Sequence, residues 1–246
     1  MKIAVFADVH ANLEALQAFL EVMAEEQPDR FVFLGDIIGY GPDPNECITL
    51  LQELDNLEAV LGNHDSAAIW DSSPYEMHAD ARDAIFWTMD QLSDESVNFL
   101  RTLRHKVLID GVCYCHASPH SPDAWIYLNS YIKALWSFRR TGYRLSFVSH
   151  THWPQLISQE NSWKISLEKV QPGEVRYLQE GQRYIVNCGS IGQPRDGSAD
   201  GSYCLYDDIE KTVIFHRFSY ANQTTQTKMR KAGLPEYLAS RLKTGR

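Results

Sequence analysis

A chain of 246 residues with 44% hydrophobic and 22% charged side chains carries enough apolar material for one sizeable core and is short enough to be a single domain. Its formal net charge of −9 disfavours an extended nucleic-acid partner, because that affinity comes from Lys and Arg neutralising phosphates. The longest apolar runs, such as Ile3–Ala7 and Phe31–Gly35, are five residues long against the ~20 that a bilayer span requires, which excludes a membrane-spanning helix.

Met1-Lys2 leads directly into the first apolar run, with no h-region or small-residue cleavage site before Asp8, so the expected location is the cytoplasm. Runs rich in Val, Ile, Leu, Phe and Tyr at Ile3–Ala7, Phe31–Leu34 and Leu57–Leu61 predict buried strands. Between them, Leu13, Leu16, Phe19, Leu20 and Met23, then Cys47, Ile48, Leu51 and Leu54, recur at helical spacing. The βαβαβ alternation predicts a largely parallel sheet. From Ser72 to Leu103 the spacing of Ala81, Ile85, Met89 and Leu92 and the cap-like Ser93-x-Glu95 predict two helices, which we read as a cap insertion over 72–104 that could cover a site as a lid. Further strands are predicted at Val107–Ile109, Val112–Tyr114, Leu145–Val148 and Tyr184–Val186. After His152, short pieces around Pro154–Ser158, Trp163–Leu167, Gly173–Leu178, Ser202–Tyr206 and Thr212–Phe218 predict a second, mainly antiparallel sheet. The single domain is expected to span 1–220, followed by a polar tail over 221–246 with a short helix from Pro235 to Leu242, either docked or frayed. The five cysteines are odd in number and lack a C-x-x-C pair, which favours buried reduced thiols.

Nearly every predicted strand ends in metal-ligand chemistry. Asp8-Val9-His10 follows the first, Gly35-Asp36 the second, Gly62-Asn63-His64-Asp65 the third, His116 the strand at Val112, and Ser149-His150-Thr151-His152 the strand at Leu145. Ligands of open α/β sheets bind outside the carboxyl ends of the strands, so these clusters should converge, and five of the nine histidines fall in them. Imidazole with carboxylate and an amide oxygen, without thiolate, suits Mn, Fe, Zn, Ni or Co in an open catalytic site rather than a structural zinc knot. A carboxylate can bridge two ions at the ~3.5–4 Å used in two-metal hydrolysis, and Asp36 is the candidate bridge.

This ordered set, Asp8-x-His10, Gly35-Asp36, Gly62-Asn63-His64-Asp65, His116 and His150-x-His152, resembles the signature of the calcineurin-like metallophosphoesterase superfamily across roughly residues 1 to 200. The resemblance implies an α/β fold, a four-layer α/β/β/α sandwich of two mixed sheets flanked by helices. It implies two divalent metal ions, one held by Asp8, His10, Asp36 and His152, the other by Asp36, Asn63, His116 and His150. It leaves His64 as the non-ligand acid. A metal-bound hydroxide would attack phosphorus, since a bound metal brings the pKa of water from 15.7 towards ~7, and His64 would protonate the leaving oxygen. The implied activity is hydrolysis of small phosphate esters, diesters foremost, with phosphomonoesters, nucleotides and dinucleoside polyphosphates as alternatives.

Gly39 stands where the protein Ser/Thr phosphatase branch has a second aspartate orienting its histidine, which turns the reading from that branch. The runs Gly35–Pro42, Asn187-Cys188-Gly189-Ser190 and Gln193-Pro194-Arg195-Asp196-Gly197 resemble small prokaryotic phosphodiesterases of the superfamily. Ala11 and Ser149 replace glycines usual in relatives, and neither swap removes a ligand. Asn12 and Arg195 are candidate substrate contacts, although Asn12 also reads as the N-cap of the helix from Leu13 and Arg195 as a solvated loop residue. His78, His105, His120 and His216 have ordinary roles by default, and Trp70, Trp87, Trp125, Tyr127 and Trp136 serve packing as readily as base stacking. Two other classes compete: a non-catalytic scaffold, as in a retromer subunit of the superfamily, against which the complete ligand set argues, and a nuclease, for which a basic groove is missing. Homo-oligomer formation is left open.

Overall fold

The computed structural model describes all 246 residues as two six-stranded sheets packed face to face between helices. In the first sheet, β1 (Lys2–Phe6), β2 (Arg30–Phe33) and β3 (Leu57–Ala59) are parallel, joined by α1 (Leu13–Glu26) and α2 (Pro44–Gln52). The second sheet begins with β4 (Lys106–Ile109), β5 (Val112–Cys115) and β6 (Leu145–Val148). The alternation that predicted a βαβαβ start holds.

The strands after His152 do not make a sheet of their own. Those at β7 (Gln155–Gln159), β8 (Ile165–Lys169) and β10 (Arg183–Asn187) extend the second sheet in the order β4-β5-β6-β10-β7-β8. Those at β9 (Val175–Tyr177), β11 (Gly201–Asp207) and β12 (Thr212–Phe218) complete the first as β3-β2-β1-β11-β12-β9. The reason is edge satisfaction: β1 and β6 would each leave an unpaired row of N–H and C=O groups, filled by antiparallel β11 (Ile3 opposite Tyr206) and parallel β10 (Ile185 opposite Ser146).

Period-two alternation sorts the core into layers. Ile3, Val5 and Ala7, with Tyr206 of neighbouring β11, face the second sheet and meet Tyr114, Phe147 and Val186, while Ala4 and Phe6 face Leu16, Phe19 and Met23 of α1 and Ile48 and Leu51 of α2. On the far side, Cys113, Cys115, Val148 and Ile185 pack on Ala134 and Phe138 of α6 (Tyr131–Arg140). The result is the expected α/β/β/α sandwich. All five cysteines are buried and unpaired, and no helix is long and apolar enough to cross a membrane.

Residues 72–104 contain a short turn of helix, α4 (Ala79–Gln91) and α5 (Asp94–Thr102), the last capped by Ser93 accepting from the Ser96 N–H. Leu100 of α5 joins the α1 and α2 layer, while Ala81 and Ala84 of α4 pack against Tyr40. The C-terminal segment is docked as a pair, α7 (Asn222–Lys231) and α8 (Glu236–Arg241), of which the first is absent from the sequence reading. Its attachment is polar on one side: Thr225 Oγ1 reaches Asn12 Oδ1 at 2.9 Å and Lys228 Nζ reaches Glu14 at 2.6 Å and Asp43 at 2.9 Å. On the other side Met229, Leu234, Leu238, Ala239 and Leu242 bury themselves with Tyr40, Ala81 and Ala84.

Candidate metal centre

The carboxyl ends of β1, β2, β5 and β6 open onto one point. Asp8, His10, Asp36, His64, His116, His150 and His152 are all buried there, and Asn63 is half-buried beside them. Three sets of donor atoms gather so that the atoms of each lie within 4.8 Å of one another: Asp8, His10 and His152; His10, Asp36 and His64; and Asp36, His116 and His150.

The backbone is bent to achieve this. Asp8, His10, Asp36, His150 and His152 have φ between 51° and 63°, the left-handed region that costs an ordinary residue of order 1 kcal/mol or more. Tight loops make such turns possible. Gly62 is required because a Cβ there would lie 2.1 Å from Asp36 Oδ1. Asp65 then ties two loops together: its carboxylate accepts from the backbone N–H of Asp36 at 2.7 Å, Gly62 at 3.1 Å and Ile38 at 3.2 Å. Burial and the charge of Asp36 push Asp65 up to about 7 against the pull of those three donors.

Each imidazole is oriented from outside by a main-chain carbonyl. His10 Nδ1 lies 3.1 Å from the Ile38 oxygen, His116 Nδ1 2.8 Å from that of Leu34, His152 Nδ1 2.6 Å from that of Gln193, and His150 Nε2 3.0 Å from that of Trp125. A carbonyl only accepts, so these outer nitrogens carry protons, and in the neutral form of each ring the opposite nitrogen turns a lone pair inward, the arrangement of metal-ligating histidines.

The inward atoms crowd one another. His10 Nε2 and His152 Nε2 stand 3.3 Å apart, and His116 Nε2 stands 3.1 Å from both Asn63 Oδ1 and His150 Nδ1. Ligands about 2.0–2.2 Å from a shared cation sit about 3.0–3.5 Å from each other, so the spacing matches ligation. Asp8 Oδ1 and Asp36 Oδ2 are buried without any hydrogen-bond partner, a costly state for a carboxylate unless a cation completes it. The other oxygens are anchored: Asp36 Oδ1 accepts from the His64 N–H at 2.8 Å, and Asp8 Oδ2 accepts from the Ser149 hydroxyl, which also touches the Gly189 carbonyl at 2.7 Å. The bare Asp36 Oδ2 lies 3.7 Å from His10 Nε2 and 3.3 Å from His116 Nε2, facing both groups. The donor set therefore fits divalent cations.

Electrostatics agree. Burial works against the charge on Asp36, yet His116, His64 and His10 hold its carboxyl far below the usual range. Burial also opposes charge on His116, but Asp36 and Asp8 raise it to about 9, so a proton occupies a position where a cation is favoured. Burial drives Asp8 up to about 7 and His10, His150 and His152 well below their ordinary values.

His64 differs from the other four. Its Nδ1 has no partner, and its ring packs against Tyr40 at 4.3 Å and edge-on to His10 at 4.8 Å. Burial pushes it down to about 4. Asn12 is committed: Oδ1 accepts from Ala15 N–H at 3.1 Å, capping α1, and Nδ2 donates to the Gly192 carbonyl at 2.8 Å. Arg195 lies at the mouth, donating to Gln193 Oε1 at 2.7 Å and to Tyr40 Oη at 3.3 Å. Among the aromatics, Tyr127 stacks on His150 at 4.0 Å and Trp125 meets His116 edge-on at 6.0 Å, whereas Trp70 groups with Tyr75 and Phe86, and Trp136 lies under Arg140. Of the remaining histidines, His105 pairs with Asp71 and His216 stacks on Tyr203.

Sequence reasoning passed over Tyr40, Asp65, Ser149, Gln193 and Arg241 as parts of the site. Asp65 carried a readable signal, three residues past Gly62 at a helix start where a carboxylate caps backwards; Tyr40, Ser149 and Gln193 lie inside the motif runs without a role assigned to them, and Arg241 lies in none.

A family model for the calcineurin-like phosphoesterases matches residues 1–171. An uncharacterized protein of Methanocaldococcus jannaschii is 35% identical over 99% of this chain and 98% of its own. The crystal structure of a metallophosphoesterase from Sphaerobacter thermophilus superposes with a TM-score of 0.89 at 38% identity, covering 100% of this chain and 99% of that one. A symmetrical bis(5'-nucleosyl)-tetraphosphatase of Coxiella burnetii is 29% identical over 43% of this chain and 36% of its own.

Proposed function

The chain belongs to the calcineurin-like phosphoesterase family, and from that premise we propose that it hydrolyses small phosphate esters, phosphodiesters foremost, at a centre of two divalent ions. Asp8, His10, Asp36 and His152 would hold one ion, and Asp36, Asn63, His116 and His150 the other. One observation carries this reading: the buried, unpartnered Asp36 Oδ2 lies between the inward nitrogens of His10 and His116. The imidazole-rich donor set suits Mn, Fe, Zn, Ni or Co. Bound there, such ions supply Lewis acidity, neutralising phosphoryl charge and bringing the pKa of water towards neutrality.

The chain's own groups do the rest. Asp36 divides its two oxygens, one fixed by the His64 N–H and one free, so that the acid and the bridge move as a unit. Burial holds His64 neutral, and an anionic phosphoryl group beside it would favour the imidazolium that donates to the leaving oxygen. Asp65 holds the Asp36 and Gly62 loops together, and Ser149 fixes the rotamer of Asp8.

The test is a pair of substitutions assayed for metal content and for turnover of an aryl phosphodiester. His64→Ala should keep its metal and lose about 10²–10⁴-fold in rate, whereas Asp36→Asn should lose metal and turnover together. An unchanged rate in His64→Ala removes the acid assignment, and full metal content in Asp36→Asn removes the bridge.

A further inference from the structure

Two guanidinium groups converge on one amide oxygen beside the centre with no Asp or Glu side chain between them. Arg195 reaches Gln193 Oε1 through Nη2 at 2.7 Å and Nε at 3.3 Å, and Arg241, at the end of α8, reaches the same oxygen through Nη1 at 3.4 Å. Neighbouring cations behave differently: Arg217 pairs with Asp196, Lys228 with Glu14 and Asp43, and Arg230 with Glu236. Placing two like charges on one neutral amide oxygen is unfavourable unless an anion joins them.

Both guanidiniums are half-buried, Arg195 over the Tyr40 ring at 5.6 Å and Arg241 over the Tyr237 ring at 5.1 Å. The Arg195 loop is tied to the centre through its main chain, the Arg195 N–H donating to the His152 carbonyl at 3.4 Å and the Gln193 carbonyl lying 2.6 Å from His152 Nδ1. Tyr40 packs in turn on His10 at 4.6 Å, so that Arg195 stands one ring away from that candidate ligand. Arg241 is held in place. Its Nε donates to a main-chain oxygen of Arg246, the final residue, at 2.7 Å, Leu242 is buried, and the Gly245 carbonyl accepts from the Gly197 N–H at 2.8 Å in the Arg195 loop.

We propose that Arg195 and Arg241 form an anion subsite, completed by the docked C-terminal helices, which binds a second phosphoryl group of the substrate next to the one attacked at the metals. This rests on the phosphoesterase reading above and narrows it: the preferred substrates carry two linked phosphoryl groups and bind more tightly than an isolated monoester or simple diester, which the metal centre still turns over. Planar guanidinium groups suit phosphoryl oxygens, offering paired N–H donors that an amide or ammonium does not.

The experiment is calorimetric titration of the metal-loaded protein with inorganic phosphate and with imidodiphosphate, a diphosphate that resists hydrolysis, both in the same excess of metal. The wild type should bind imidodiphosphate about tenfold or more tighter than phosphate, charge-assisted hydrogen bonds being of that strength. Arg241→Gln should bring the two affinities close together, Arg241→Lys should recover part of the difference, and exposed Lys243→Gln should leave it unchanged. An undiminished preference in Arg241→Gln, or an equal loss of affinity for both anions, overturns the subsite. Absence of any metal-dependent affinity for phosphate in the wild type removes the phosphoesterase reading, and the subsite with it.

Discussion

Gly39→Ala is the substitution that most directly separates His64 from the metal ligands. Gly39 has φ of +85°, and a Cβ there would lie 2.4 Å from His64 Nδ1 and 3.0 Å from its Cγ. Ordinary contact begins at 3.4 Å, so the ring must retreat by about 1 Å, a displacement that near a reacting group costs about 10²-fold in rate. The left-handed backbone adds a stability cost of roughly 1–2 kcal/mol, which in a chain of this size lowers Tm by about 2–8 °C. The three atoms nearest the new methyl all belong to His64. The assay compares wild type, Gly39→Ala, His64→Ala and the double variant for metal content and for kcat on an aryl phosphodiester. Gly39→Ala should keep its full metal and lose about 10²-fold, and the double variant should be no slower than His64→Ala, because the methyl then enters space the ring has vacated. A double variant slower than His64→Ala by a further ~10²-fold shows that Gly39 acts by some other route, and a Gly39→Ala rate within about threefold of wild type shows that the ring's position does not govern the chemistry.

Chelation of the metals should lower Tm by about 5–10 °C, since saturation at about 100 times Kd contributes roughly 2.7 kcal/mol and each kcal/mol shifts Tm by about 2–4 °C; scanning calorimetry with and without EDTA reads it directly, and an unchanged Tm contradicts metal binding at buried ligands. In the metal-free protein His116 is raised to about 9, so below that pH an incoming cation must displace its proton. Metal affinity should therefore rise with pH up to about 9 and level off above it, with a proton released near neutrality, seen by titration in buffers of different ionisation enthalpy; binding without proton release removes the assignment of His116 as a ligand. Asp65→Ala leaves three buried backbone N–H groups without their acceptor. At about 1–3 kcal/mol each this should cost about 3 kcal/mol or more in urea unfolding, and a loss below about 1 kcal/mol would mean the loops do not depend on that carboxylate.

The first half of the chain was legible because its signals are local. Each of Ile3–Ala7, Phe31–Leu34 and Leu57–Leu61 is an apolar run followed at once by ligand chemistry, and helical spacing separates them. The later strands are equally visible as strands, yet their sheet is decided by which edges lie open. Ser202–Tyr206 belongs beside β1, about 200 residues earlier, and Tyr184–Val186 beside β6, and nothing in their composition distinguishes the two destinations. Helix α7 was invisible for a related reason: of Asn222–Lys231 only Met229 is apolar, and the helix is fixed by Thr225 and Lys228 reaching Asn12, Glu14 and Asp43.

The same division runs through the centre itself. Metal ligation takes particular side chains, so the proposed ligands Asp8, His10, Asp36, Asn63, His116, His150 and His152 announce themselves by type. The groups that orient them are largely main chain: the carbonyls of Leu34, Ile38, Trp125 and Gln193 fix four imidazole tautomers, and any residue could supply a carbonyl. Ser149 makes the point from the other side. As a replacement for a usual glycine it reads as a neutral swap, but its hydroxyl anchors Asp8 Oδ2 and leaves Oδ1 as the bare atom facing the cavity. If that anchoring sets the carboxylate's rotamer, Ser149→Gly should weaken metal affinity by about 10–100-fold while leaving every ligand in place, and equal affinity in the two proteins would show that the backbone alone determines where Asp8 points.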